Sequence, residues 1–457
     1  MINENVDKFV ILIAVLCSFS VAFTSNALSV ALPSIAVDFG ISNITQNWVV
    51  NIYLLVIAAC SVPAGKLCGK YGLNRTMQFG LLIYIVGAVL SLLSVDIVTL
   101  FVSRILHGIG SSILFVNVMA IITAEIPRSV RGRAIGFNIT GVYLGLTLAP
   151  TISGVIVENF SWRSIFIVTL PLIVVSIVLL YHMDREWFVD RDKSIDVAGS
   201  VLFMISVMIL MYAFTILNTG IGVILCVVSF AMLLVFAYYE LNVDNPVYDV
   251  SLFRNSRYSS SNIASFISYF ATFVVTYILN YHFQYIKGLS PQSTGMILIV
   301  TPLLMAVISP FSGRLSDKID PQILAATGMT LVSIALGMLS FIDANTPTNY
   351  IIVAMLLQGL GFGIFSSPNT NIIMSSVPAK DIPIASASIS TVRTVGQSFS
   401  LGLLTLIFAL VMGNVTIEAS NYPALVTSSQ ITMTISTVLC VFAIALSLIG
   451  IKLNKSE

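Results

Sequence analysis

The feature that most constrains the fold is a succession of long apolar runs that fills almost the whole chain. Of 457 residues, 57% are hydrophobic and only 9% are charged, whereas an ordinary soluble domain carries about 25% charged residues. A membrane-spanning helix needs ~20 apolar residues. The sequence therefore predicts an all-α polytopic membrane protein with about fourteen spans, near residues 9–32, 47–68, 77–95, 98–123, 133–157, 164–182, 196–217, 220–241, 260–283, 293–312, 322–342, 349–374, 383–412 and 430–452.

Composition excludes several other classes of protein. The first apolar run is too long for a signal-peptide core of ~7–15 residues, so a retained span is expected there. The five cysteines lie in or beside apolar runs without a CxxC pair, which indicates core residues rather than disulfides or metal ligands. A net charge of +1 offers no basic face for a nucleic acid. We expect no metal, no cofactor and no nucleic-acid partner.

The positions of Lys and Arg predict the orientation of the chain in the lipid bilayer. Of the 21 such residues, Arg163 and Lys287 fall on one side, Arg104 and Arg393 fall within spans, and all others fall on the side of the N-terminus. Cytoplasmic loops carry an excess of Lys and Arg. A multi-pass protein of the cell (inner or plasma) membrane is predicted, with both termini cytoplasmic.

A weak internal repeat indicates two related halves. "GKLCGKYG" begins at Gly65 after the second span, and "GRLSDKID" begins at Gly313 after the tenth. Duplicated halves are typical of many transporter folds. We predict an N-terminal six-helix bundle over residues 1–184, two inserted helices within 185–250, and a C-terminal six-helix bundle over 251–457.

Glycine-rich motifs recur at helix ends and within spans. Glycines permit a tight turn between two helices or their close approach within the membrane, and a proline bends a helix. The motifs are "GKLCGKYGLNR" with Gly65, Lys70, Gly72 and Arg75; "SRILHGIG" around Arg104; "GVYLGLTLAPTISG" with Gly145, Pro150 and Gly154; "GRLSDKID" with Gly313, Arg314 and Asp317; and "STVRTVGQSFSLGL" around Arg393.

In order and in predicted membrane side, these motifs resemble those of the major facilitator superfamily, specifically the fourteen-helix drug:proton antiporter subgroup. The resemblance covers nearly the whole chain. It implies the major-facilitator fold, two six-helix bundles with two extra helices between them, and transport by alternating access. It also implies that the loop glycines, the loop charges and the "GVYLGLTLAPTISG" helix act in conformational change.

The chain departs from the subgroup's pattern at its acids. "FTSNALSVALP" places Thr24 where the first-helix motif has an acid, and Gly69 replaces the acid of the loop motif, whereas Asp317 keeps it in the second copy. His107 stands where the fourth-helix motif has a glutamine. No carboxylate is predicted near mid-membrane, where ionisable residues are costly and usually functional.

The polar residues that remain within the spans define the candidate sites. Arg104 and His107 are three residues apart and share one helix face, so proton coupling is assigned to them, with Glu125 and Glu158 as partners at span ends. Arg104 could instead hold helices together, and Arg393 could either anchor an anionic group or pair with a loop acid. Candidate cavity residues are Asn26, Asn51, Asn117, Tyr143, Tyr277, Asn280, Gln358, Asn369, Arg393 and Gln397.

These residues favour a secondary active exporter, expected to be a monomer, that moves small amphipathic or anionic compounds by proton antiport. An uncoupled or differently coupled facilitator of a specific metabolite is the alternative. A membrane receptor or enzyme is a remote one. Neither an HExxH motif nor a phosphate-binding GxxxxGK[ST] loop is present in the sequence.

Overall fold

The computed structural model describes residues 4–41, 43–183, 185–188, 195–217, 219–289, 291–378, 381–413 and 419–453. Within them lie fourteen helical spans long and apolar enough to cross a membrane, and no β-strand. The predicted number of spans is confirmed. The predicted division of the chain at 184 and 250 stays a prediction.

Sixteen α-helices build these spans. Six lie before the inserted pair: α1 (Glu4–Phe39), α2 (Asn43–Tyr71), α3 (Leu73–Leu92), α4 (Ile97–Glu125), α5 (Arg128–Asn159) and α6 (Leu170–His182), the last preceded by a 3₁₀ turn at Trp162–Ile167. The inserted pair is α7 (Val197–Thr215) and α8 (Gly220–Glu240). The rest are α9 (Ser256–Thr272), α10 (Val274–Tyr281), α11 (Pro291–Leu298), α12 (Val300–Ser316), α13 (Pro321–Leu339), α14 (Thr348–Ser375), α15 (Ile382–Val411) and α16 (Tyr422–Leu453).

Polar residues placed just before several helices explain where those helices begin. A side-chain oxygen at this position accepts a hydrogen bond from a backbone N–H that has no partner within the helix. Asp96 accepts from Thr99 N at 2.7 Å ahead of α4, and Asn255 accepts from Arg257 N at 3.0 Å ahead of α9. The short polar breaks between apolar runs therefore fix the helix starts.

The ninth span is interrupted, which its apolar run did not predict. It comprises α9, α10 and a π-helical turn at His282–Ile286. A break within the membrane leaves backbone groups that water cannot satisfy. Here the N–H of Val274 donates to the hydroxyl of Ser400 on α15 at 2.9 Å. A serine on the neighbouring helix thus stabilises the interruption.

Helix packing divides the molecule into two halves. In the N-terminal half α1 packs on α5, and α4 packs on both α2 and α3. In the C-terminal half α14 packs on α12 and α13, and α16 packs on α9 and α13. The most extensive contacts between the halves are those of α2 with α15 and of α5 with α12, while the inserted α7 touches both α2 and α15. The two copies of the loop motif lie at the ends of two of these helices, α2 and α12.

The halves meet closely at one end of the bundle, here called the basic end, where α2 ends at Tyr71 and α3 begins at Leu73. The other end, where α1 ends at Phe39, is called the opposite end. An ideal Cβ on Gly65 would lie 2.8 Å from the carbonyl oxygen of Pro383 on α15. Ser386 on α15 donates to the carbonyl of Val116 on α4 at 2.8 Å. Small side chains therefore let the two halves touch at the basic end.

We predict that Gly110→Ala destabilises the protein by about 1–3 kcal/mol, the usual cost of overpacking a filled core. An ideal Cβ at Gly110 would lie 2.5 Å from the backbone nitrogen of Tyr84, which cannot move without shifting α3. Thermal unfolding in detergent measures the effect. Gly220→Ala is the matched control, because nothing lies within 4 Å of its new Cβ. Equal unfolding midpoints for the two variants would contradict the packing of α3 on α4.

Candidate functional site

A cavity lies between the two halves and extends from the middle of the helices toward the opposite end. It holds about 870 Å³ of space free of protein atoms, its open mouth included. Below it, Thr140 on α5 donates to the carbonyl of Ala306 on α12 at 3.0 Å, and Ser61 and Ser390 share a hydrogen bond of 2.9 Å. The cavity is therefore separated from the basic end by packed helices.

Six of the ten residues predicted to line a cavity do line this one. They come from both halves: Asn26 on α1 and Tyr143 on α5, and then Tyr277, Gln358, Arg393 and Gln397 on α10, α14 and α15. The fold brings these residues together because α1, α5, α10, α14 and α15 all face the space between the halves.

The other four lie elsewhere. Asn117 is buried against α3, where Thr76 donates to its side-chain oxygen at 3.3 Å. Asn369 donates to Ser265 Oγ on α9 at 2.7 Å and so joins two helices of one half. Asn280 accepts from Gln284 at 2.7 Å near the opposite end. Asn51 is half-buried on α2 and is not among the described residues that line the cavity.

The sequence reasoning missed one wall of the cavity, which α9 and α10 form with Tyr269, Thr272, Phe273 and Thr276. These residues recur at intervals of three and four, the spacing that places side chains on one helix face. This periodicity of polar and aromatic residues within an apolar run is the sequence signal that could have identified the wall.

Arg393 is the only charged residue among the described residues that line the cavity. Its guanidinium carbon lies 5.1 Å from the ring centre of Phe115 and 5.7 Å from that of Tyr269. Aromatic faces attract a cation while leaving its N–H groups able to donate to a ligand. Tyr143, 3% exposed, contacts Phe362 edge to face at 6.1 Å. The cavity thus joins one cation to a mainly aromatic wall.

Arg104 and His107 form a second polar cluster, inside the N-terminal half. Arg104 is completely buried, donates from Nε to the carbonyl of Val49 at 3.2 Å, and lies 4.1 Å from the ring centre of Tyr53. Its two terminal nitrogens have no hydrogen-bond partner within the described part of the chain. A buried guanidinium in this state retains four N–H donors for a water or another mobile group.

His107 lies beside Tyr84 in the same cluster. Their ring centres are 4.1 Å apart and nearly perpendicular, and neither imidazole nitrogen has a hydrogen-bond partner among the described residues. Tyr84 and Thr24 share a hydrogen bond of 2.6 Å. The threonine that stands where an acid was expected therefore reaches the histidine cluster through one tyrosine.

The two glutamates predicted as partners of this cluster lie far from it. Glu125 ends α4 at the basic end, about six turns from Arg104, where it pairs with Arg185 at 2.6 Å and accepts from Trp187 at 3.1 Å. Glu158 is exposed near the end of α5 at the opposite end. The structure places Arg104 with His107 and separates both from the glutamates.

A family model described as Major Facilitator Superfamily matches residues 14–242 and 262–455. The chain belongs to this superfamily. It is 30% identical over 398 residues to the riboflavin transporter RibZ of Clostridioides difficile (strain 630), covering 87% of each chain. It is 27% identical over 400 residues to the multidrug resistance protein Stp of Mycobacterium tuberculosis (strain CDC 1551 / Oshkosh), covering 86% of this chain and 74% of Stp.

The fold is also that of solved superfamily structures. The human organic anion transporter MFSD10 (TETRAN) superposes with a TM-score of 0.69 at 12% identity, over 95% of this chain and 99% of that chain. At that identity the likeness concerns the fold alone. Family and relatives together establish that this chain is a membrane transporter and not an enzyme.

The first superfamily loop, between α2 and α3, is held by an acid from elsewhere in the chain. Gly72 adopts a φ of +99°, which favours glycine. Glu186, beyond α6, accepts from the N–H groups of Asn74 at 2.8 Å and Arg75 at 3.1 Å. A carboxylate at a helix N-terminus is stabilising, so Glu186 caps α3. The Lys70 ammonium lies 5.8 Å from the ring centre of Tyr71.

The second loop follows Gly313 and an exposed Arg314 at the end of α12. Asp317 accepts from the N–H of Gly132 in α5 at 3.1 Å. An ideal Cβ on Gly132 would lie 2.6 Å from the carbonyl oxygen of Gly313. Partial burial, opposed by hydrogen bonds from Gly132 and Arg133, raises the pKa of Asp317 above its ordinary value. This acid therefore joins the two halves at the basic end.

The "GVYLGLTLAPTISG" segment lies in α5, which continues through Pro150. An ideal Cβ on Gly145 would lie 3.0 Å from the backbone nitrogen of Phe23, so this glycine permits the close approach of α5 to α1. Pro150 lines the cavity, and Gly154 is half-buried one turn further along α5. The motif thus connects the packing of α1 with the cavity wall.

We predict that acidification stabilises the wild type relative to Asp317→Asn. Because burial raises the pKa of Asp317 in the folded protein, the folded state binds the proton more tightly than the unfolded state. The advantage is absent above the raised pKa and grows as the pH falls toward the ordinary value. Thermal unfolding of both proteins across this range measures it. A difference in midpoint that is constant with pH, or that shrinks on acidification, would contradict the prediction.

Proposed function

We propose that the protein exports small amphipathic or anionic compounds by alternating access, in exchange for protons. The observation that carries the proposal is a central cavity between the halves whose single charge, among the described lining residues, is Arg393. Contacts at the basic end close the cavity there in this conformation, which is one of the two states that alternating access requires.

The charge of the cavity supports an anionic or amphipathic substrate. No described carboxylate lines it, so a cationic compound would meet Arg393 without a compensating acid. An anionic group would gain a charge-assisted hydrogen bond, which is stronger than a neutral one. Gln397 lies one helical turn from Arg393, and Gln358 faces the same space from α14. Together they offer donors and acceptors beside the cation.

The aromatic wall supports flat ring systems as the apolar part of the substrate. Tyr143, Tyr269, Phe273, Tyr277 and Phe362 all line the cavity, and aromatic rings favour offset or edge contacts with other rings. The printed names of two relatives, a riboflavin transporter and a multidrug resistance protein, are consistent with such compounds. Riboflavin and riboflavin 5′-phosphate therefore form a suitable neutral and anionic probe pair.

Proton coupling is assigned to the Arg104 and His107 cluster. The ordinary pKa of an imidazole lies near neutral pH, which suits this side chain to gain and lose a proton. Both imidazole nitrogens lack partners among the described residues, so a proton arriving at His107 need not displace a hydrogen bond.

The location is also proposed. The excess of Lys and Arg at the basic end favours a cytoplasmic basic end, and an even number of spans is consistent with both termini on that side. We propose a multi-pass protein of the cell membrane that acts as a monomer, with the lipid bilayer as its solvent.

An uncoupled facilitator of a specific metabolite is the second candidate. It is favoured by the absence of carboxylates from the interior of the described spans, where Glu125, Glu158 and Glu240 all lie at or near helix ends. Flux of riboflavin into proteoliposomes, with and without an acidic lumen, separates the two candidates. Accumulation that is unchanged when the pH gradient is collapsed would overturn proton antiport.

We predict that Arg393→Gln weakens binding of riboflavin 5′-phosphate about 10- to 100-fold while changing riboflavin binding little. Hydrogen bonds to charged groups contribute about 1.5–3 kcal/mol, and only the phosphate would lose such a bond. Quenching of flavin fluorescence by the purified transporter measures both affinities. Arg393→Lys is the control that keeps the charge, and it should retain most of the preference. Equal weakening of both flavins would assign Arg393 a structural role.

We predict that His107→Gln abolishes accumulation driven by a pH gradient but leaves exchange of internal for external substrate without a gradient. Glutamine preserves hydrogen bonding and approximate size but cannot carry a proton. The measurement is labelled riboflavin uptake into proteoliposomes under both conditions. His182→Gln is the matched control, because His182 is exposed at the basic end of α6. Full gradient-driven uptake by His107→Gln would remove this residue from coupling.

A further inference from the structure

Two carboxylates from the inserted helices converge at the basic end, away from the central cavity. Asp196 precedes α7, and its Oδ1 accepts from the N–H of Gly199 at 2.9 Å and the hydroxyl of Tyr239 at 3.3 Å. Glu240 ends α8, and its Oε2 accepts from the N–H of Tyr248 at 3.0 Å. One oxygen of each acid is therefore satisfied by a fixed donor.

The remaining oxygen of each acid is buried and has no hydrogen-bond donor among the described residues: Oδ2 of Asp196 and Oε1 of Glu240. Both oxygens lie close to the Cα of Gly199, on the side where a Cβ would point. An ideal Cβ there would collide with Glu240 Oε1 and would lie 2.6 Å from Asp196 Oδ2. Glu240 is only 3% exposed, so its unpaired oxygen is directed into the site and not toward solvent.

Two such oxygens cannot both carry full negative charge in a buried site without a large cost. Like charges brought together in a medium that excludes water destabilise each other, and one carboxyl then retains its proton. A buried acceptor without a donor also destabilises the fold. One proton between Oδ2 and Oε1 removes the repulsion and supplies the missing donor to both oxygens.

Other ionisable groups also lie around the two acids. Lys66 of the first loop motif, 5% exposed, is close enough for its charge to act on Glu240. A proton bound between the two acids lowers the negative charge that acts on Lys66. Tyr239 faces Asp196, and the Tyr248 hydroxyl is turned toward Tyr258. Residues 189–194, which include further charged side chains, lie outside the described part of the chain.

The pair also touches elements of both halves. Lys66 belongs to α2, in the N-terminal half. Tyr248, whose N–H holds Glu240, shares a hydrogen bond of 2.7 Å with Tyr258 on α9 and donates to Ser388 on α15 at 3.2 Å. Asp249 acts electrostatically on Tyr248, and Asp381 acts on Tyr258. The charge of the pair therefore acts where α2 and α15 meet.

We propose that Asp196 and Glu240 bind one shared proton, forming a proton site on the inserted helices that is distinct from the Arg104 and His107 cluster. Binding at this site lowers the buried negative charge beside the joint between α2 and α15. The site stands whether or not the substrate and the coupling assigned above are correct, because its contacts lie outside the cavity.

Infrared difference spectroscopy of the purified full-length protein between neutral and alkaline pH tests the proposal. We expect a protonated-carboxyl C=O band at neutral pH in the wild type and its loss in both Glu240→Gln and Asp196→Asn. Asp244→Asn, which removes an exposed acid of the adjoining loop, should keep the band. Asn caps helices as well as Asp does, so Asp196→Asn keeps the test valid if Glu240→Gln does not fold.

Three outcomes would overturn the proposal. One is a wild-type spectrum without the band. Another is a band that persists in both variants, which would place the protonated acid elsewhere. The third is Ca²⁺ or Mg²⁺ binding, measured by calorimetry on the wild type, that is lost in Glu240→Gln, because the pair would then hold a divalent cation instead. Failure of riboflavin transport leaves all these spectra unaffected, so the two proposals are tested separately.

Discussion

The contact between the halves at the basic end is the constraint on which the rest of this structure depends. It requires small side chains where α2 meets α15 and where α5 meets α12, because backbones must approach closely. Gly65 lies against Pro383, and Gly132 lies against Gly313. Because the halves meet there, the space between them lies toward the opposite end, where larger residues such as Tyr143 form the wall. The cavity is thus a consequence of glycine placement more than of any lining residue.

Charge in the membrane interior is concentrated in two arginines, and each is stabilised by aromatic rings. Arg104 lies over Tyr53 at 4.1 Å, and Arg393 lies near Phe115 at 5.1 Å. A carboxylate partner would neutralise these cations, whereas an aromatic face stabilises them and leaves their charge available. The difference between the sites is access, because Arg393 lines the cavity and Arg104 is enclosed within one half. This division favours substrate binding at Arg393 and an internal role for Arg104.

The sequence predicted the spans and most of one site, but not the contacts between distant residues. The length of each apolar run identified all fourteen spans, because the thickness of the bilayer sets how many apolar residues a span needs. Residue type identified Arg393 and Gln358, yet it equally selected Asn369, which instead joins α14 to α9. The side of a helix that faces the cavity depends on how the helix is rotated against its neighbours. The residues of one apolar run do not determine that rotation. Glu186 was missed for a related reason, since its partner helix α3 precedes it by more than a hundred residues.

The missing acid at Gly69 makes the two loops unequal. In the second loop, Asp317 links α12 to Gly132 of the other half. In the first, Gly69 is buried in the last turn of α2, and Glu186 holds α3 within its own half. Therefore a hydrogen bond to a carboxylate joins α5 and α12. The contact between α2 and α15 instead includes the close packing of Gly65 and a hydrogen bond between the hydroxyls of Ser61 and Ser390. The two joints are thus held closed by different contacts: a hydrogen bond to a carboxylate at one, and close packing with hydroxyl hydrogen bonds, beside α7, at the other.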